Sequence, residues 1–286
     1  MATSLGTDQN GRVPSELLSL FSLKGKTAIV SGGTGGIGLA IVEILADAGA
    51  NVAILYHRNK DAIESARTIE QRYRVKCTAH QVNITRQEEV EDVVNKIVAD
   101  YNGRLDIFVA NGGIAWGETT ALDSSVSHYH EVLSTNLDGV YYSALAAGKH
   151  WRRQAKERTA IDGKNLDNFT TGSFIATASM SGHIVNVPHI QAAYNVSKAG
   201  VIHLCKSLAI EWIDFARANS VSPGYVNSGL TGSAPAELIT AVAEKIPMRR
   251  IGEPHELKGA YLYLASNASS FCTGTDILVD GGYCLL

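Results

Sequence analysis

Cysteine is scarce and scattered in this chain. Cys77, Cys205, Cys272 and Cys284 lie far apart and form no CxxC pair. That spacing argues against a disulfide framework and against a cysteine-built metal site. They read instead as reduced thiols packed like small hydrophobes, as expected of a cytoplasmic protein. No apolar run reaches about eighteen residues, so no membrane-spanning helix is expected. Residues Met1 to Phe21 carry Asp8, Arg12 and Glu16 and have no continuous apolar stretch, which excludes a secretory leader from this reading. Neither sign of charge dominates: 25 Lys and Arg stand against 28 Asp and Glu, a net charge of −3. Without a basic block, nucleic acid is not an expected partner, and neither is a membrane surface. The nine histidines fall into no HExxH or similar ligand spacing, so no metal is expected.

What is there is a regular alternation. The chain has 286 residues, 45% of them hydrophobic, enough for a large α/β core. Residues 1–20 are polar and turn-rich and read as a flexible arm. From Lys26 onward, short apolar runs at Thr27–Val30, Val52–Leu55, Val75–Val82, Leu105–Val109, Ser173–Thr177, Ala218–Val221 and Asp276–Val279 read as strands. Helical periodicity fills the gaps, as in Glu88–Tyr101, where Val90, Val93, Val94, Ile97 and Val98 share a face. Further helices are expected over Ile37–Ala48, Ala62–Tyr73, Leu133–Trp151 and Ala192–Ala216. Strands alternating with helices predict βαβ units: one doubly wound Rossmann-type α/β domain over 21–286, with a mostly parallel seven-stranded sheet. No linker or internal repeat divides it. Residues 152–171 are polar, longer than a helix-to-strand connection needs, and read as a surface insertion.

Two motifs carry the chemistry. Ser31-Gly32-Gly33-Thr34-Gly35-Gly36-Ile37-Gly38 follows a strand and opens a helix. Glycines there let backbone approach a pyrophosphate, and the helix N-terminus offers unpaired N–H groups. Gly32, Gly36, Ile37 and Gly38 are therefore candidate nucleotide contacts. After the second strand come His57, Arg58 and Asn59, with no carboxylate before Asp61. A carboxylate would suit the ribose hydroxyls of NAD, whereas an arginine suits the extra phosphate of NADP, so NADP(H) is the expected cofactor.

The second motif is Tyr194-Asn195-Val196-Ser197-Lys198, with Tyr194 and Lys198 one helical turn apart. A phenol has a reference pKa near 10, too high for a ready proton donor and acceptor at neutral pH, and a neighbouring ammonium is expected to lower it. Trp116 and Tyr225 follow strand ends, where open α/β sheets bind ligands, and are pocket-wall candidates. His183 and His189 flank the expected pocket and are candidate substrate contacts.

Taken in order, Ser31-Gly32-x-x-x-Gly36-x-Gly38, Asn111-x-Gly113, Asn136, Ser179, Tyr194-x-x-x-Lys198 and Pro223-Gly224 resemble the motifs of the classical short-chain dehydrogenases/reductases. The resemblance runs from Leu23 to the end. Phe21-Ser22-Leu23-Lys24-Gly25-Lys26, Ala178 to Asn186, Ser222 to Tyr225 and Asp280-Gly281-Gly282-Tyr283 are similar to the fungal branch of sorbose reductases, NADP-dependent mannitol 2-dehydrogenases, L-xylulose reductases and carbonyl reductases. The resemblance implies Tyr194 as general acid, Lys198 as its modulator and ribose ligand, and Asn136 as holder of a relay water. It implies a serine that polarises the carbonyl. Ser179 lies fifteen residues before Tyr194, the branch interval, and Ser181 thirteen; Ser179 is favoured and Ser181 becomes a pocket candidate. Asn111 and Gly113 would lie near the adenosine half, Pro223, Gly224 and Val226 would line the nicotinamide, and Ser228 would bond its carboxamide. Asn83 stands where an adenine-binding aspartate is common. Ala110-Asn111-Gly112-Gly113 also departs from the family's Asn-Asn-Ala-Gly.

The function these readings imply is reversible NADPH-dependent reduction of a ketone to a secondary alcohol, with a ketose or polyol as first substrate class. An apolar or secondary-metabolite ketone is the alternative, and a non-redox or dinucleotide-sensing protein is the rival from another class. Such a reductase is expected to act in the cytoplasm on a small carbonyl or alcohol substrate, as a homotetramer.

Overall fold

The computed structural model describes residues 15–117, 120–187, 190–229 and 236–285. A short helix α1 (Ser15–Phe21) comes first. The rest alternates: β1 (Thr27–Ser31), α2 (Gly36–Asp47), β2 (Asn51–Tyr56), α3 (Asp61–Tyr73), β3 (Cys77–Gln81), α4 (Gln87–Asp100), β4 (Ile107–Ala110) and α5 (Val126–Leu133). A π turn over Ser134–Asp138 joins α5 to α6 (Gly139–Glu157), followed by β5 (Gly172–Thr177), α7 (Ala192–Glu211), β6 (Ala216–Pro223), α8 (Ala236–Lys245), α9 (Lys258–Ala265) and β7 (Asp276–Val279).

All seven strands are parallel, in the order β3-β2-β1-β4-β5-β6-β7. Chain order runs one way from β1 to β3 and the other way from β4 to β7. The reversal between β1 and β4 opens a crevice at the carboxyl ends of the strands. Strands β1, β4 and β5 are buried along their whole length, which is why they read as unbroken apolar runs rather than alternating ones.

Helices cover both faces. One core joins the sheet to α4, α6 and α7 through Val94, Ile97, Phe108, Trp151, Phe174 and Leu208. The other joins it to α2, α3 and α9 through Val30, Ile41, Leu45, Ile54, Ile69 and Leu264. Val90, Val94, Ile97 and Val98 of α4 are all buried, each contributing about 1.5–3 kcal/mol.

Of the arm expected over residues 1–20, the last six residues belong to the helix Ser15–Phe21; residues 1–14 lie outside those described. The surface insertion expected over residues 152–171 is anchored to the core. Arg152–Glu157 continues α6, and Arg158 ends it in the left-handed region at φ 58°. The chain then folds back through a bridge between Thr159 and Asn165. It sinks Ala160, Leu166 and Phe169 into the core, and Arg104 Nη1 donates to Asn168 Oδ1 at 2.7 Å. Ala160, Leu166 and Phe169 turn inward, while Ile161 is 51% exposed and the polar Gln154 is buried.

Candidate active site

Four strand ends deliver the site. Ser31 closes β1, Ala110 closes β4, Thr177 closes β5 and Pro223 closes β6, so the loops after them meet over the crevice. The glycine loop is tightly seated. Gly32 sits at φ +65°, and a Cβ there would stand 2.8 Å from Gly112 Cα. A Cβ on Gly38 would fall 1.9 Å from the Gly32 carbonyl oxygen. Side chains would therefore break the turn that aims the N-terminus of α2 into the crevice. Gly35 at the N-cap offers no side-chain cap, and nothing lies within 4 Å of where its Cβ would be. An anion approaching this terminus meets backbone donors and the positive end of the helix dipole.

Two cavities meet at Gly32, Gly112 and Gly113. The first, about 440 Å³, is lined by Gly32, Gly36, Ile37, Gly38, Asn59, Asn111, Gly113, Ser179, Tyr194, Lys198, Pro223, Gly224, Val226 and Ser228. The second, about 460 Å³, is lined on its other side by Tyr56, His57, Arg58, Asn83, Thr85, Ser134 and Thr135. Every residue expected at the cofactor lines one or the other. Two lobes joined across a glycine turn fit the two halves of a dinucleotide. Arg58 is exposed at the far rim. Asn59 Oδ1 accepts from Asp61 N at 2.9 Å, which starts α3. Asn83 Oδ1 accepts from both the N–H and the hydroxyl of Thr85, which leaves its NH2 half for a ligand. Asn111 is a brace: Nδ2 donates to the Gly32 carbonyl and Oδ1 accepts from Thr177 Oγ1.

In the first lobe, Tyr194 and Lys198 face the cavity from α7. Ser179, at the end of β5, is hydrogen-bonded to the Tyr194 phenol. Ser181 is turned away: its Oγ accepts from Ser179 Oγ at 3.1 Å and from Gln191 Nε2 at 3.0 Å, and it does not line the cavity. Lys198 Nζ donates to the Thr177 carbonyl at 2.9 Å and lies 5.5 Å from the Tyr194 ring centre. Burial pushes Lys198 down to about 8. The ammonium was expected to lower the Tyr194 phenol. Instead burial raises it, and the hydrogen bond with Ser179 opposes that rise only in part. The amine points at Thr177 rather than at the phenol oxygen, and desolvation of the tyrosine outweighs the rest.

Asn136 braces the loop after β4. It is fully buried, Oδ1 accepts from Ile114 N at 2.8 Å, and Nδ2 donates to the Ile114 carbonyl and to Ser197 Oγ. Its side chain is committed to bracing the β4 exit loop against α7, and it does not line the cavity. It does sit in the π turn, an irregularity that recurs at functional sites.

None of the expected substrate contacts among the described residues lines the Tyr194 cavity. His183 Nε2 is paired with the Asp276 carboxylate at 2.8 Å. Tyr225 Oη accepts from Asn186 and its ring meets Tyr283 edge-on at 5.6 Å. Trp116 is buried, stacks on His128 at 4.7 Å, and lines a separate apolar cavity of about 240 Å³ with Val126, Tyr129, Ala193 and Val196. His189 lies outside the described residues. The residues that sequence reasoning passed over are Thr177, Asn186, Gln191 and Ser197. Gln191 stands one turn before Tyr194, the signal that could have marked it.

The family model described as Enoyl-(Acyl carrier protein) reductase matches residues 32–284. The chain belongs to the short-chain dehydrogenase/reductase family. Within that family it is 58% identical over 278 residues to the L-xylulose reductase of Hypocrea jecorina, covering 96% of each chain. It is 47% identical to the sorbose reductase sou1 of Schizosaccharomyces pombe, covering 94% of this chain and 99% of the relative. Among solved structures it resembles the NADPH-dependent 3-quinuclidinone reductase of Rhodotorula rubra, at 38% identity and a TM-score of 0.84, covering 96% of this chain and 97% of the other. Among the described residues no helix is long and apolar enough to cross a membrane.

Proposed function

We propose that this short-chain dehydrogenase/reductase reduces a polyhydroxy ketone to the corresponding polyol with NADPH, and runs in reverse with NADP. The observation that carries the reading is the meeting of Tyr194, Ser179 and Lys198 at one wall of a cavity whose other wall is the glycine loop. The relatives named for L-xylulose and sorbose supply the substrate class, and the NADPH-dependent structural neighbour agrees with Arg58 at the far rim.

NADPH bound across the two lobes supplies the hydride. The remaining work falls to the chain. Ser179 keeps its proton and donates a hydrogen bond through it to the ketone oxygen, which makes the carbonyl carbon more electrophilic. Tyr194 then gives its phenolic proton to that oxygen as the alkoxide forms. Its raised pKa keeps it protonated at neutral pH, the state reduction needs. Lys198 holds a positive charge below pH about 8, close enough to stabilise the phenolate left behind. Asn136 keeps the Ile114 loop and α7 at fixed distance. Gly32 to Gly38 and Arg58 would hold phosphate groups, and Pro223, Gly224, Val226 and Ser228 would shape the nicotinamide end.

The exposed apolar residues Phe271, Leu278 and Leu285, on or after the approach to β7, support a homotetramer that buries them. The four free thiols support a cytoplasmic location.

The test is NADPH oxidation followed by absorbance against L-xylulose, sorbose, fructose and a panel of apolar ketones. Turnover of ketoses with the higher kcat/KM is expected. Preference for apolar ketones would shift the substrate toward the second reading, which the apolar cavity beside Trp116 favours. Tight NADPH binding with no turnover of any ketone would overturn both.

A further inference from the structure

A chain of buried hydrogen bonds runs from the loop after β6 to the serine beside Tyr194. Asn186 Nδ2 donates to Tyr225 Oη at 3.3 Å. Gln191 Nε2 donates to Asn186 Oδ1 at 2.9 Å and to Ser181 Oγ at 3.0 Å. Ser179 Oγ donates to Ser181 Oγ at 3.1 Å, and Ser181 N donates back to Ser179 Oγ at 3.1 Å. Asn186 is 0% exposed, Ser181 4%, Gln191 7% and Ser179 8%, so bulk water cannot stand in for a missing partner.

Gln191 occupies the N-cap of α7, yet its side chain makes no cap bond to the helix. Its amide turns inward, and both of its N–H protons are spent, one on Asn186 and one on Ser181. The direction of these bonds matters. Ser179 has a single hydroxyl proton, and in this arrangement it rests on Ser181. To polarise a ketone, that proton must swing onto the substrate oxygen. Ser181 Oγ then loses one donor. Because Gln191 still donates to it, the swing leaves Ser181 Oγ with one donor rather than none. Without that amide, the swing would leave a buried oxygen without a donor, which costs more than a net hydrogen bond is worth.

We propose that Gln191 is a positioning residue for the reduction, holding Ser181 so that the Ser179 proton is free to turn onto the substrate carbonyl. The proposal rests on the reading of Ser179 given above. It concerns the chemical step, not cofactor binding, since Gln191 does not line the cofactor cavities.

The experiment is a cycle of Gln191→Leu, Ser179→Ala and the double variant, with Gln191→Glu beside them. Ketone kcat and KM are measured, along with NADPH affinity by fluorescence quenching. Gln191→Leu is expected to lower kcat by roughly tenfold to a hundredfold, the loss typical of one unsatisfied buried partner. NADPH affinity should stay within about twofold. In the Ser179→Ala background the same change should cost nothing further, because the hydroxyl it serves is gone. Gln191→Glu keeps the shape but, when ionised, offers no donor. Its kcat relative to wild type at the same pH should rise as pH falls and the carboxyl regains a proton to donate. Additive losses in the double variant would overturn the inference while leaving Ser179 in place. A flat Gln191→Glu ratio across pH, or loss of NADPH affinity in step with kcat, would reduce Gln191 to a packing residue and also overturn it. If Ser179→Ala alone is harmless, the reading of Ser179 fails first. Should Gln191→Leu not fold, the isosteric Gln191→Glu and its pH ratio decide the matter.

Discussion

Lys198 Nζ stands 5.5 Å from the centre of the Tyr194 ring and gives its hydrogen bond to the Thr177 carbonyl instead of the phenol. Both side chains are deep in the site, and burial moves them in opposite directions: the phenol up, the ammonium down to about 8. Burial shifts each toward its neutral form, yet below pH about 8 the lysine still carries its charge. That arrangement suits an acid that must hold its proton until the carbonyl oxygen becomes basic.

Removal of the phenolic hydroxyl should therefore stop the chemistry and spare binding. Tyr194→Phe keeps the ring and its contacts with the Trp116 cluster. General acid catalysis contributes about 10²–10⁴-fold, so kcat should fall by that order. NADPH titration by fluorescence should give a dissociation constant near that of wild type. A variant retaining more than half its turnover would remove Tyr194 from the mechanism.

The lysine makes a prediction about stability and pH. Its folded pKa of about 8 lies below the unfolded value of 10.5. Between those values the unfolded chain binds the extra proton, so this residue's contribution makes stability rise with pH across that window. Below pH about 8 the full penalty of burying the charge is present. Buried tyrosines such as Tyr101 and Tyr261, whose phenols are raised by burial, act in the opposite sense above pH about 10. The difference between wild type and Lys198→Met isolates the lysine. Denaturant titrations at pH 7, 8, 9 and 10 should show wild type gaining on the variant as pH rises. A constant difference would mean that the amine keeps its ordinary pKa in the folded chain.

Two serines compete for the carbonyl, and their surroundings rank them. Ser179 touches both the cavity and the phenol, whereas Ser181 is bonded to Ser179 and Gln191 behind it. Ser179→Ala should cost about 10²–10³-fold in kcat, the range for loss of one preorganised donor. Ser181→Ala should cost less, since the proton that reaches substrate is not its own. The reverse order in steady-state assays would exchange the roles.

Sequence alone carried the sheet and the glycine loop because both are written in local chemistry. Asp276–Val279 reads as a strand and is one, and the loop from Ser31 to Gly38 needs its glycines for reasons visible in the spacing. Helix α7 was expected to run to Ala216 but ends at Glu211, because Ala216 pairs with Gly172 across the sheet. Tertiary pairing overrode a helical pattern there. Helices α8 and α9 are short, and no helix was expected at either. The pocket walls were the least legible part. His183 lies near the catalytic serines in sequence, but its ring is claimed by Asp276, 93 positions later. No local pattern announces such a partner.

The segment 152–171 offers a prediction that its composition would never suggest. Phe169 is 1% exposed and belongs to the same core as Phe108, Trp151 and Phe174. Phe169→Ala should destabilise the protein by about 3–5 kcal/mol, as expected for a large side chain deleted from a packed interior. The change should register as a lower denaturant midpoint with NADPH affinity unaltered. A loss below about 0.5 kcal/mol, the surface range, would return the segment to the status of a solvated loop.

Cofactor choice is predicted to depend on Arg58. It is exposed at the far rim of the second cavity, beside His57, whose carbonyl accepts from Gln81 Nε2 at 2.9 Å and so fixes the backbone there. A guanidinium is always charged and grips a phosphate through two parallel N–H groups. Hydrogen bonds to charged groups contribute roughly 1.5–3 kcal/mol, which amounts to about a tenfold to hundredfold preference. Exposure to solvent and salt weakens the Coulombic share, so the lower end is expected at physiological ionic strength. Arg58→Ala should raise KM for NADPH by about tenfold and leave NADH nearly unchanged, because NADH presents no phosphate at that position. Arg58→Asp should go further: a carboxylate repels the phosphate and can accept from a ribose hydroxyl, so NADH use should improve. The check is KM and kcat for both cofactors in all three proteins. Equal losses for NADPH and NADH in both variants would show that Arg58 supports the fold of the β2–α3 turn and takes no part in reading the phosphate.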